Sequence, residues 1–383
     1  MPIVKFGDVV KRANTKEDRF TTEKLYYVGG EHMETGEYLI RKKGLIAGSN
    51  IGPMFYCGFV KGQVLLASRS PDLKKAGMVT FDGLCSEKTF VIETKDENVL
   101  LQSFLPAIVR SEAFWKYAND NQSGSVNHFI NWSTFANYEF FLPPVEQQRT
   151  AANLLWAMER VKAAYKDLIS KTDALVKSQF IERFEGHGYE TAKAKSFMSN
   201  MRNGVSPSKK GSHAEKVLTL SAVTQGAFDP NAWKDGIFDE CPPSDRRIHT
   251  SEFYMCRGNG NKTLVGTAVY SLEERDDLVF PDTVIAAHVD SSIVLMPYLF
   301  VAWKMPNVRE QIESSARTTN GTYKINQAVL SNIELVVPPF DKQIEFVSFI
   351  EQSDKSKFEA KQALDSLTAA QKALMRQYLK QEQ

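Results

Sequence analysis

Two segments of this chain lie 195 residues apart (343 minus 148) and pass through the same order of residue types. The first, Asn121–Gln148, reads NQSGSVNHFINWSTFANYEFFLPPVEQQ, and the second, Ala316–Gln343, reads ARTTNGTYKINQAVLSNIELVVPPFDKQ. Each moves from small polar residues through an alternating apolar stretch to a double proline. A period of this length is far longer than a solenoid repeat. The chain is therefore predicted to contain a duplicated domain, each copy followed by a helix.

A long amphipathic helical pattern follows each double proline. Proline suits the first turn of a helix, and Glu146 and Asp341 would lie near the positive end of the helix dipole. Both apolar stripes outlast an average helix of about 11–12 residues, so we expect the two helices to pair as an antiparallel coiled coil. The alternative, in which each helix caps only its own domain, stays open. The side chains predicted at the interface of the helix pair are Leu154, Met158, Val161, Tyr165, Leu168, Leu175, Phe346, Phe349, Ala360, Ala363, Leu367 and Leu374.

The remaining segments, about 1–141 and 186–337, have the patterns of mixed α/β domains. GQVLLASRS, KTFVIET and DTVIAAHVD have strand character, whereas ENVLLQSFLPAIVRSEAFWKYAND indicates short helices. The predicted fold class is α+β, with two such domains in tandem and two long antiparallel helices at 142–185 and 338–383, related by pseudo-twofold symmetry. A helix of 40 residues from Val145 to Phe184 would be about 60 Å long. Two domains on such a spacer suit a ligand that repeats along a line, such as duplex DNA.

Composition sets few limits on function. The 47 basic and 46 acidic residues give a net charge of +1, which neither supports nor excludes a local face that binds nucleic acid. The N-terminal segment lacks the pattern of a secretory signal, and no apolar run approaches the ~20 residues that span a bilayer. Four widely spaced cysteines favour reduced thiols. We therefore expect a cytoplasmic protein that does not contact membranes.

Cationic and amide-rich stretches in turn-like contexts are the candidates for DNA contact. Lysine would mainly meet phosphates, whereas arginine can bind guanine edges, and asparagine adenine edges, in bidentate geometry. For any single lysine, a solvated surface charge is the alternative. In the first domain the predicted contacts are Arg41, Lys42, Lys43, Ser68, Arg69, Lys74, Lys75, Ser123, Ser125 and Asn127. In the second domain they are Ser206, Ser208, Lys209, Lys210, Arg257, Asn259, Asn261, Lys262, Arg317, Thr318, Asn320, Tyr323 and Lys324.

The junctions between domain and helix resemble those of a known family. GSVNHFINWSTFANYEFFLPPVEQQ and RTTNGTYKINQAVLSNIELVVPP are similar to the junctions between target-recognition domain and conserved helix in the specificity subunits of type I restriction-modification enzymes. YYVGGEHM, KVLTLSAVTQGAFD and CRGNGNKTLVG resemble segments of the recognition domains, so the likeness covers essentially the whole chain. The resemblance assigns target-recognition domains to 1–141 and 186–337, and conserved spacer helices to 142–185 and 338–383.

The same resemblance implies a subunit with no catalytic residues, no cofactor and no metal. Such a subunit reads a bipartite target in double-stranded DNA, with one half of the target read by each recognition domain. Its implied protein partners are two adenine-methyltransferase subunits and, for cleavage, the ATP-dependent restriction subunits. The implied setting is DNA methylation within a prokaryotic defence system.

The sequence motifs that would indicate catalysis are less specific than the resemblance to specificity subunits. The tetrapeptide of adenine N6-methyltransferases opens with a polar residue, whereas Leu142 and Val337 stand at that position here. Pro71 and Asp72, followed by Glu93-Thr94-Lys95, fit the loose pattern of a Mg²⁺-dependent nuclease. A stand-alone nuclease of this type and a protein-protein adaptor that never contacts DNA are therefore kept as alternative functions.

Overall fold

The computed structural model describes residues 2–13, 15–125, 127–208, 210–319 and 321–379. Its chain divides into two compact units. One unit contains the described residues up to Asp167 together with those from Ala360 onward, and the other is Leu168–Glu359. Both units contain helices and strands. The predicted α+β class, with two mixed domains in tandem, is therefore confirmed at this level.

Short strands and short helices make up the globular part of the first unit. Its strands are β1 (Ile3–Lys5), β2 (Val10–Arg12), β3 (Tyr26–Val28), β4 (Leu39–Ile40), β5 (Gly44–Leu45), β6 (Phe55–Phe59), β7 (Val64–Ala67), β8 (Ala76–Val79), β9 (Gly83–Ser86), β10 (Thr89–Thr94) and β11 (Glu139–Phe141). Its short helices are α1 (Phe6–Val9), α2 (Leu105–Val109), α3 (Glu112–Asp120) and α4 (Trp132–Ala136). The strands form a five-stranded sheet of order β2-β10-β7-β8-β4, a four-stranded sheet of order β5-β3-β9-β6, and the pair β1-β11.

The core of the first unit fixes the position of α4. All four residues of β7 are buried, as expected for a central strand covered on both faces. The rings of Phe114 on α3 and Phe135 on α4 stack with centroids 5.3 Å apart. Ser111 accepts a hydrogen bond from the Phe114 backbone N–H at 3.2 Å and so caps α3. The chain immediately before α4 is therefore attached to a rigid part of the unit.

The first long helix, α5 (Val145–Phe184), begins directly after the double proline. Within the first unit, Ala151 and Leu155 are fully buried in the hydrophobic core. The indole N–H of Trp156 donates to the Ser103 carbonyl at 2.9 Å. The first turns of α5 are thus part of the core of the domain that precedes the helix.

The second unit repeats this type of construction with different strand lengths. Its strands are β12 (Thr191–Lys193), β13 (Met198–Asn203), β14 (His213–Leu218), β15 (Trp233–Phe238), β16 (Arg247–Ile248), β17 (Glu252–Cys256), β18 (Gly258–Asn259), β19 (Ala268–Tyr270), β20 (Arg275–Val279), β21 (Val284–Val289), β22 (Arg317–Thr319), β23 (Thr322–Lys324) and β24 (Glu334–Val336). Its short helices are α6 (Ser221–Thr224), α7 (Met296–Ala302), α8 (Pro306–Ser315) and α9 (Gln327–Ser331). The sheets have the orders β13-β21-β17-β19, β15-β14-β20-β16, β18-β23-β22 and β12-β24.

The second long helix, α10 (Phe340–Tyr378), also begins directly after a double proline. In the second unit, the Phe346 ring lies 5.8 Å from that of Phe180 and 5.3 Å from that of Phe184, centroid to centroid. These aromatic side chains join the last turns of α5 to the first turns of α10. In the first unit, Met375 near the end of α10 is buried in the core that also holds the start of α5.

The buried face of α5 differs from the predicted one. Leu154, Val161, Leu168 and Leu175 keep 40%, 45%, 47% and 49% of their surface exposed. These four residues are corrected from the helix-pair interface to an exposed face of α5. Of the other predicted interface residues, Phe346 and Ala360 are buried, whereas Met158, Tyr165, Phe349, Ala363, Leu367 and Leu374 are half-buried.

Paired polar side chains take the place of the predicted leucines and valines. In the first unit, Glu159, Lys162 and Gln371 are 1%, 4% and 2% exposed. The Lys162 ammonium donates to Glu159 Oε1 at 2.7 Å and to Gln371 Oε1 at 3.0 Å, and Gln371 Nε2 donates to Glu159 Oε1 at 3.0 Å. Charged groups can be buried when they are paired and hydrogen-bonded, but a search for apolar periodicity does not detect them.

Two further features of the fold are the apolar character of its helices and the state of its cysteines. Within the described ranges, none of the helices combines the length and the apolar character that crossing a bilayer requires. All four cysteines lie in described ranges and are free thiols: Cys57, Cys85, Cys241 and Cys256.

Candidate nucleic-acid interface

In the first unit, a small hairpin before α4 joins two of the predicted DNA-contact stretches. Ser123 and Phe129 exchange backbone hydrogen bonds of 2.9 Å in both directions. Phe129 also forms an antiparallel bridge with Arg69, which follows β7. The Ile130 N–H donates to the Ser68 carbonyl at 2.8 Å and closes the contact. The structure thus places the exposed Arg69 beside Phe129, at the base of the hairpin.

In the second unit, two predicted stretches form one three-stranded sheet, β18-β23-β22. Asn259 lies opposite Tyr323, and Thr318 lies opposite Tyr323 on the other side. Arg317 lies opposite Lys324 in the same sheet, and both side chains are exposed. Stretches that are about 60 residues apart in the sequence therefore present one polar and cationic surface.

The two hairpins occupy equivalent places in their own units. Each is followed within a few residues by a short helix, α4 or α9. In the first unit, the partner segment follows the buried central strand β7, and in the second it follows β17, whose five residues are all buried. Asn326 accepts from the Val329 N–H at 2.9 Å and caps α9 directly after the hairpin. Asn131 precedes α4 in the same way but makes no side-chain cap. A polar hairpin held between a buried strand and a short helix is a rigid support for ligand-contacting side chains.

The cluster at Arg41–Lys43 lies apart from this construction. Arg41 pairs with Glu37 at 3.3 Å and with Glu159 at 3.7 Å. Lys42 pairs with Glu34 at 2.6 Å, and the Lys43 ammonium lies 3.6 Å from the centroid of the Tyr26 ring. These cations already have protein partners, so a contact with DNA would compete with existing interactions.

Two of the predicted contacts next to β7 have structural roles. Ser68 is only 6% exposed, and its hydroxyl donates to the Lys88 carbonyl at 2.7 Å. Ser68 is therefore corrected from a DNA contact to a buried link between strands. The Lys75 ammonium donates to the Gly30 carbonyl at 2.6 Å. Lys74 is half-buried in a cleft that contains Arg110, and its carbonyl accepts a hydrogen bond from the Arg110 guanidinium.

The amides of the second unit are partly used in turns. Asn259 Oδ1 accepts from the Asn261 N–H at 2.9 Å, and Asn261 Oδ1 accepts from the Thr263 N–H at 3.1 Å. Arg257 donates to the Asp282 carbonyl at 3.2 Å. These bonds hold the loop shape, and they reduce the freedom of the amides to read bases.

The remaining predicted contacts fall into three groups. Ser125, Asn127, Ser206 and Lys210 are exposed in loops, and Lys262 is exposed in the short 3-10 helix Lys262–Leu264. Ser208 is half-buried, with its N–H bonded to the Ile237 carbonyl at 2.7 Å. Lys209 and Asn320 lie outside the described residues. His128, which sequence reasoning did not select, is exposed on the same hairpin as Asn127, and its carbonyl accepts from the Ser70 N–H at 3.1 Å.

The residues of the nuclease pattern have other partners. Glu93 accepts from Gln63 at 2.8 Å and pairs with Lys11 at 3.2 Å. The Lys95 ammonium donates to the Gly7 carbonyl at 2.6 Å. Among the residues that the structure describes, no three histidine, cysteine or acidic side chains are grouped so that they could hold a metal ion. Glu93 and Lys95 thus make structural contacts within the first unit.

Comparison with known proteins gives likeness in structure rather than in sequence. No protein-family model matches this chain, and no curated protein matches it either. A chain solved in a study of complex assembly and conformational transition of the type I restriction-modification system is similar to it, with a TM-score of 0.56 and 16% identity over 99% of this chain and 97% of that one. The S subunit of a type I restriction-modification system from M. genitalium is similar with a TM-score of 0.54 and 13% identity, over 100% of this chain and 96% of that one.

At this identity the likeness concerns the fold, and it extends over nearly the full length of both chains. This likeness in fold can be compared with the resemblance in sequence at the two junctions between domain and helix. The resemblance is confirmed at that level: this chain has the fold of type I restriction-modification specificity subunits.

Proposed function

We propose that this chain is the DNA-specificity subunit of a type I restriction-modification complex. In this proposal, residues 1–141 and 186–337 are target-recognition domains, and each reads one half of a bipartite target in double-stranded DNA. Residues 142–185 and 338–383 are the conserved spacer helices. The chain itself catalyses no reaction, and it supports two adenine-methyltransferase subunits and the ATP-dependent restriction subunits.

The observation that carries the proposal is the pairing of hairpin and loop within each unit. In the first unit, Arg69 lies beside the hairpin of Ser123–Phe129. In the second unit, Arg317 and Lys324 lie in the same small sheet as Asn259. Each unit thus presents cations and amides on a rigid support. Such side chains bind phosphates and base edges. The whole-length likeness in fold to a type I S subunit adds independent support.

A spacer formed by α5 and α10 is the second part of the proposal. In the first unit the start of α5 and the end of α10 share a core, and in the second unit the end of α5 packs on the start of α10. Lys357 of α10 donates to Asp173 of α5 at 2.8 Å in the second unit. These contacts favour an antiparallel coiled coil with pseudo-twofold symmetry, which would set the distance between the two half-sites.

Binding of the assembled methyltransferase complex to target DNA tests the reading function. Arg69→Gln and Lys324→Gln should each weaken filter binding and reduce the slope of log K against log salt by about 1, since each removes a phosphate or base contact. Lys195→Gln, which removes an exposed lysine from the second unit, is the matched control. A complex whose affinity does not fall with salt would support an adaptor without DNA contact and would exclude the proposal.

Two further measurements separate the alternatives. Cleavage of plasmid by the purified chain with Mg²⁺ and no partner would favour the nuclease. Sequencing of methylated adenines in the host genome should show one bipartite motif with a fixed spacer. Leu168→Pro breaks α5 near its middle, and it should relax that spacer while each domain stays folded. Methylation restricted to the original spacer in this variant would show that α5 does not set the spacing.

A further inference from the structure

The first unit contains a cleft of about 240 Å³ that the proposed function does not use. One side is formed by Gly36, Tyr38 and Lys74, and another by the segment Arg110–Glu112 at the start of α3. The last turns of α10 complete it, from Thr368 to Leu379. Three stretches that are distant in sequence thus converge on one space within a single compact unit.

The charged residues around the cleft are mostly cations. Lys74, Arg110, Lys372 and Arg376 line it, against the single carboxylate of Glu112. Lys372 and Arg376 both bind that carboxylate, and they hold its pKa down at about 2. Glu112 therefore stays ionised but neutralises only one of the four positive charges. The lining keeps an excess of positive charge, which favours an anionic ligand.

One buried hydrogen-bond donor at the cleft has no acceptor. Arg110 Nε is out of contact with solvent and has no hydrogen-bond partner, although the same guanidinium donates to the Lys74 carbonyl through Nη1. Tyr38, which also lines the cleft, is 9% exposed, and Lys74 is half-buried. Arg110 Nε is thus a buried donor without an acceptor, which is costly, and it lies in a residue that lines the cleft.

The backbone around Lys74 is arranged to keep the residue at the cleft. Ser70 and Lys74 both have φ of 49°, in the left-handed region, and they flank the turn Pro71–Leu73. Arg110 fixes this turn through the Lys74 carbonyl, and its Nη2 lies near Gly36, 3.9 Å from where a β-carbon would be. Left-handed backbone at a non-glycine residue is strained, and such strain is concentrated at functional sites.

We propose that this cleft binds a phosphate group. A tetrahedral oxyanion offers acceptors in several directions at once, which suits a cleft that Tyr38, Lys74 and Arg110 line together. Arginine and lysine together are the usual partners of phosphate in proteins. The bound group would connect the last turns of α10 to the Gly36–Tyr38 and Arg110–Glu112 segments, and would therefore stabilise the first unit.

Thermal unfolding of the full chain with inorganic phosphate tests the site without DNA or methyltransferase, so its outcome is independent of the proposed function. Phosphate at saturating concentration should raise the midpoint by about 2–4 °C over sodium chloride of equal ionic strength. Tyr38→Phe removes only the hydroxyl, and Lys74→Asn removes the cation while asparagine tolerates the left-handed backbone. Each should weaken phosphate binding about tenfold or more by calorimetric titration. Lys61→Asn, which removes an exposed lysine of the same unit outside the cleft, should not.

The phosphate group could be free or part of a DNA backbone, and a second arm distinguishes these sources. A short duplex at low salt is titrated into the chain with and without phosphate. Competition that depends on Tyr38 and Lys74 identifies a backbone phosphate, whereas phosphate binding that leaves duplex binding unchanged identifies a free anion. The proposal is overturned if phosphate acts only as sodium chloride does, or if Tyr38→Phe and Lys74→Asn respond to phosphate as the unaltered chain and Lys61→Asn do.

Discussion

Gln148 and Gln343 make the same three hydrogen bonds, each within its own unit. Gln148 Oε1 accepts from the Leu101 N–H at 2.9 Å, and its Nε2 donates to the carbonyls of Val99 and Pro143 at 2.9 and 2.8 Å. The side chain is fully buried. It therefore ties the first turn of α5 to the loop before α2 and to the double proline.

In the second unit, Gln343 Oε1 accepts from the Leu295 N–H at 2.9 Å. Its Nε2 donates to the carbonyls of Ile293 and Pro338 at 3.0 and 2.9 Å. The repeat in sequence thus corresponds to a repeated buried contact. An amide suits this place because it offers one acceptor and two donors, and all three are used.

Replacing Gln148 by glutamate should destabilise the first unit. The carboxylate of Gln148→Glu keeps an acceptor for Leu101 but has no donors for the two carbonyls, so we expect a loss of about 2–4 kcal/mol in the free energy of unfolding. Gln147→Glu is the matched control, because Gln147 is exposed on the same helical turn. Urea denaturation measures both variants. Equal midpoints for the two variants would show that the amide contact is not important for stability.

The buried pair of Glu159 and Lys162 gives a second prediction. Lys162→Met leaves a carboxylate that is 1% exposed, with Gln371 as its hydrogen-bond donor and Arg41 at 3.7 Å as its remaining ion-pair partner. We expect a loss of about 2–4 kcal/mol in the free energy of unfolding. The double variant Glu159→Met with Lys162→Met removes both charges and should recover most of that loss. A double-mutant cycle by urea denaturation measures the coupling. Simple additivity of the two substitutions would mean that the pair is not coupled.

The second unit should show a dependence of stability on pH that involves His249. Its Nδ1 lies 2.8 Å from Glu274 and its Nε2 lies 3.0 Å from the Ser244 carbonyl, so both ring nitrogens face acceptors. Burial lowers the pKa of His249, but the hydrogen bonds to Ser244 and Glu274 outweigh burial and leave it raised above 6.5. A raised pKa in the folded state means that the contribution to stability is complete below pH 6.5 and is lost as pH rises through the folded value.

Glu274 acts in the opposite direction at low pH. Hydrogen bonds from Thr250 and His249 lower its pKa from 4.5 to about 2, so its contribution is present above pH 4.5 and disappears as pH falls towards 2. In Glu274→Gln, the decrease in unfolding midpoint between pH 6 and 8 should become smaller than in the unaltered chain. His213→Gln, which replaces an exposed histidine of the same unit, should leave that decrease unchanged. If Glu274→Gln and His213→Gln show the same change of unfolding midpoint with pH, Glu274 does not raise the pKa of His249.

The hairpin of the first unit depends on Gly124. Its φ is 94°, and a β-carbon there would lie 2.5 Å from the Asn127 carbonyl oxygen. Gly124→Ala should therefore distort the loop and lower the affinity of the assembled complex for target DNA by about fivefold to tenfold, the effect of roughly 1–1.5 kcal/mol of strain. Gly52→Ala is the control, since a β-carbon at Gly52 meets nothing within 4 Å. Filter binding measures the affinity of both variants for target DNA. Equal affinities would show that the shape of the hairpin does not affect DNA binding.

The order of the elements and their duplication follow from the amino-acid sequence alone. The double prolines locate the starts of α5 and α10, because proline fits a first helical turn and cannot continue a preceding strand. The polar stretches before each helix identify both hairpins, since turn residues are local signals. The equivalent places of Gln148 and Gln343 after the two double prolines are also visible in the sequence, although their hydrogen bonds are not.

The buried face of α5 and the cations that already have protein partners become visible only in the folded chain. Leu154 and Val161 satisfy an apolar period but are exposed, whereas Glu159 and Lys162 are buried because each neutralises the other. Arg41 carries the charge expected of a DNA contact, yet two carboxylates bind it. Local sequence places Glu159 near Lys162 and Glu37 near Arg41, but it does not show that the first pair is buried. That burial depends on packing against distant residues such as Gln371, which accepts from Lys162 across 209 residues of sequence.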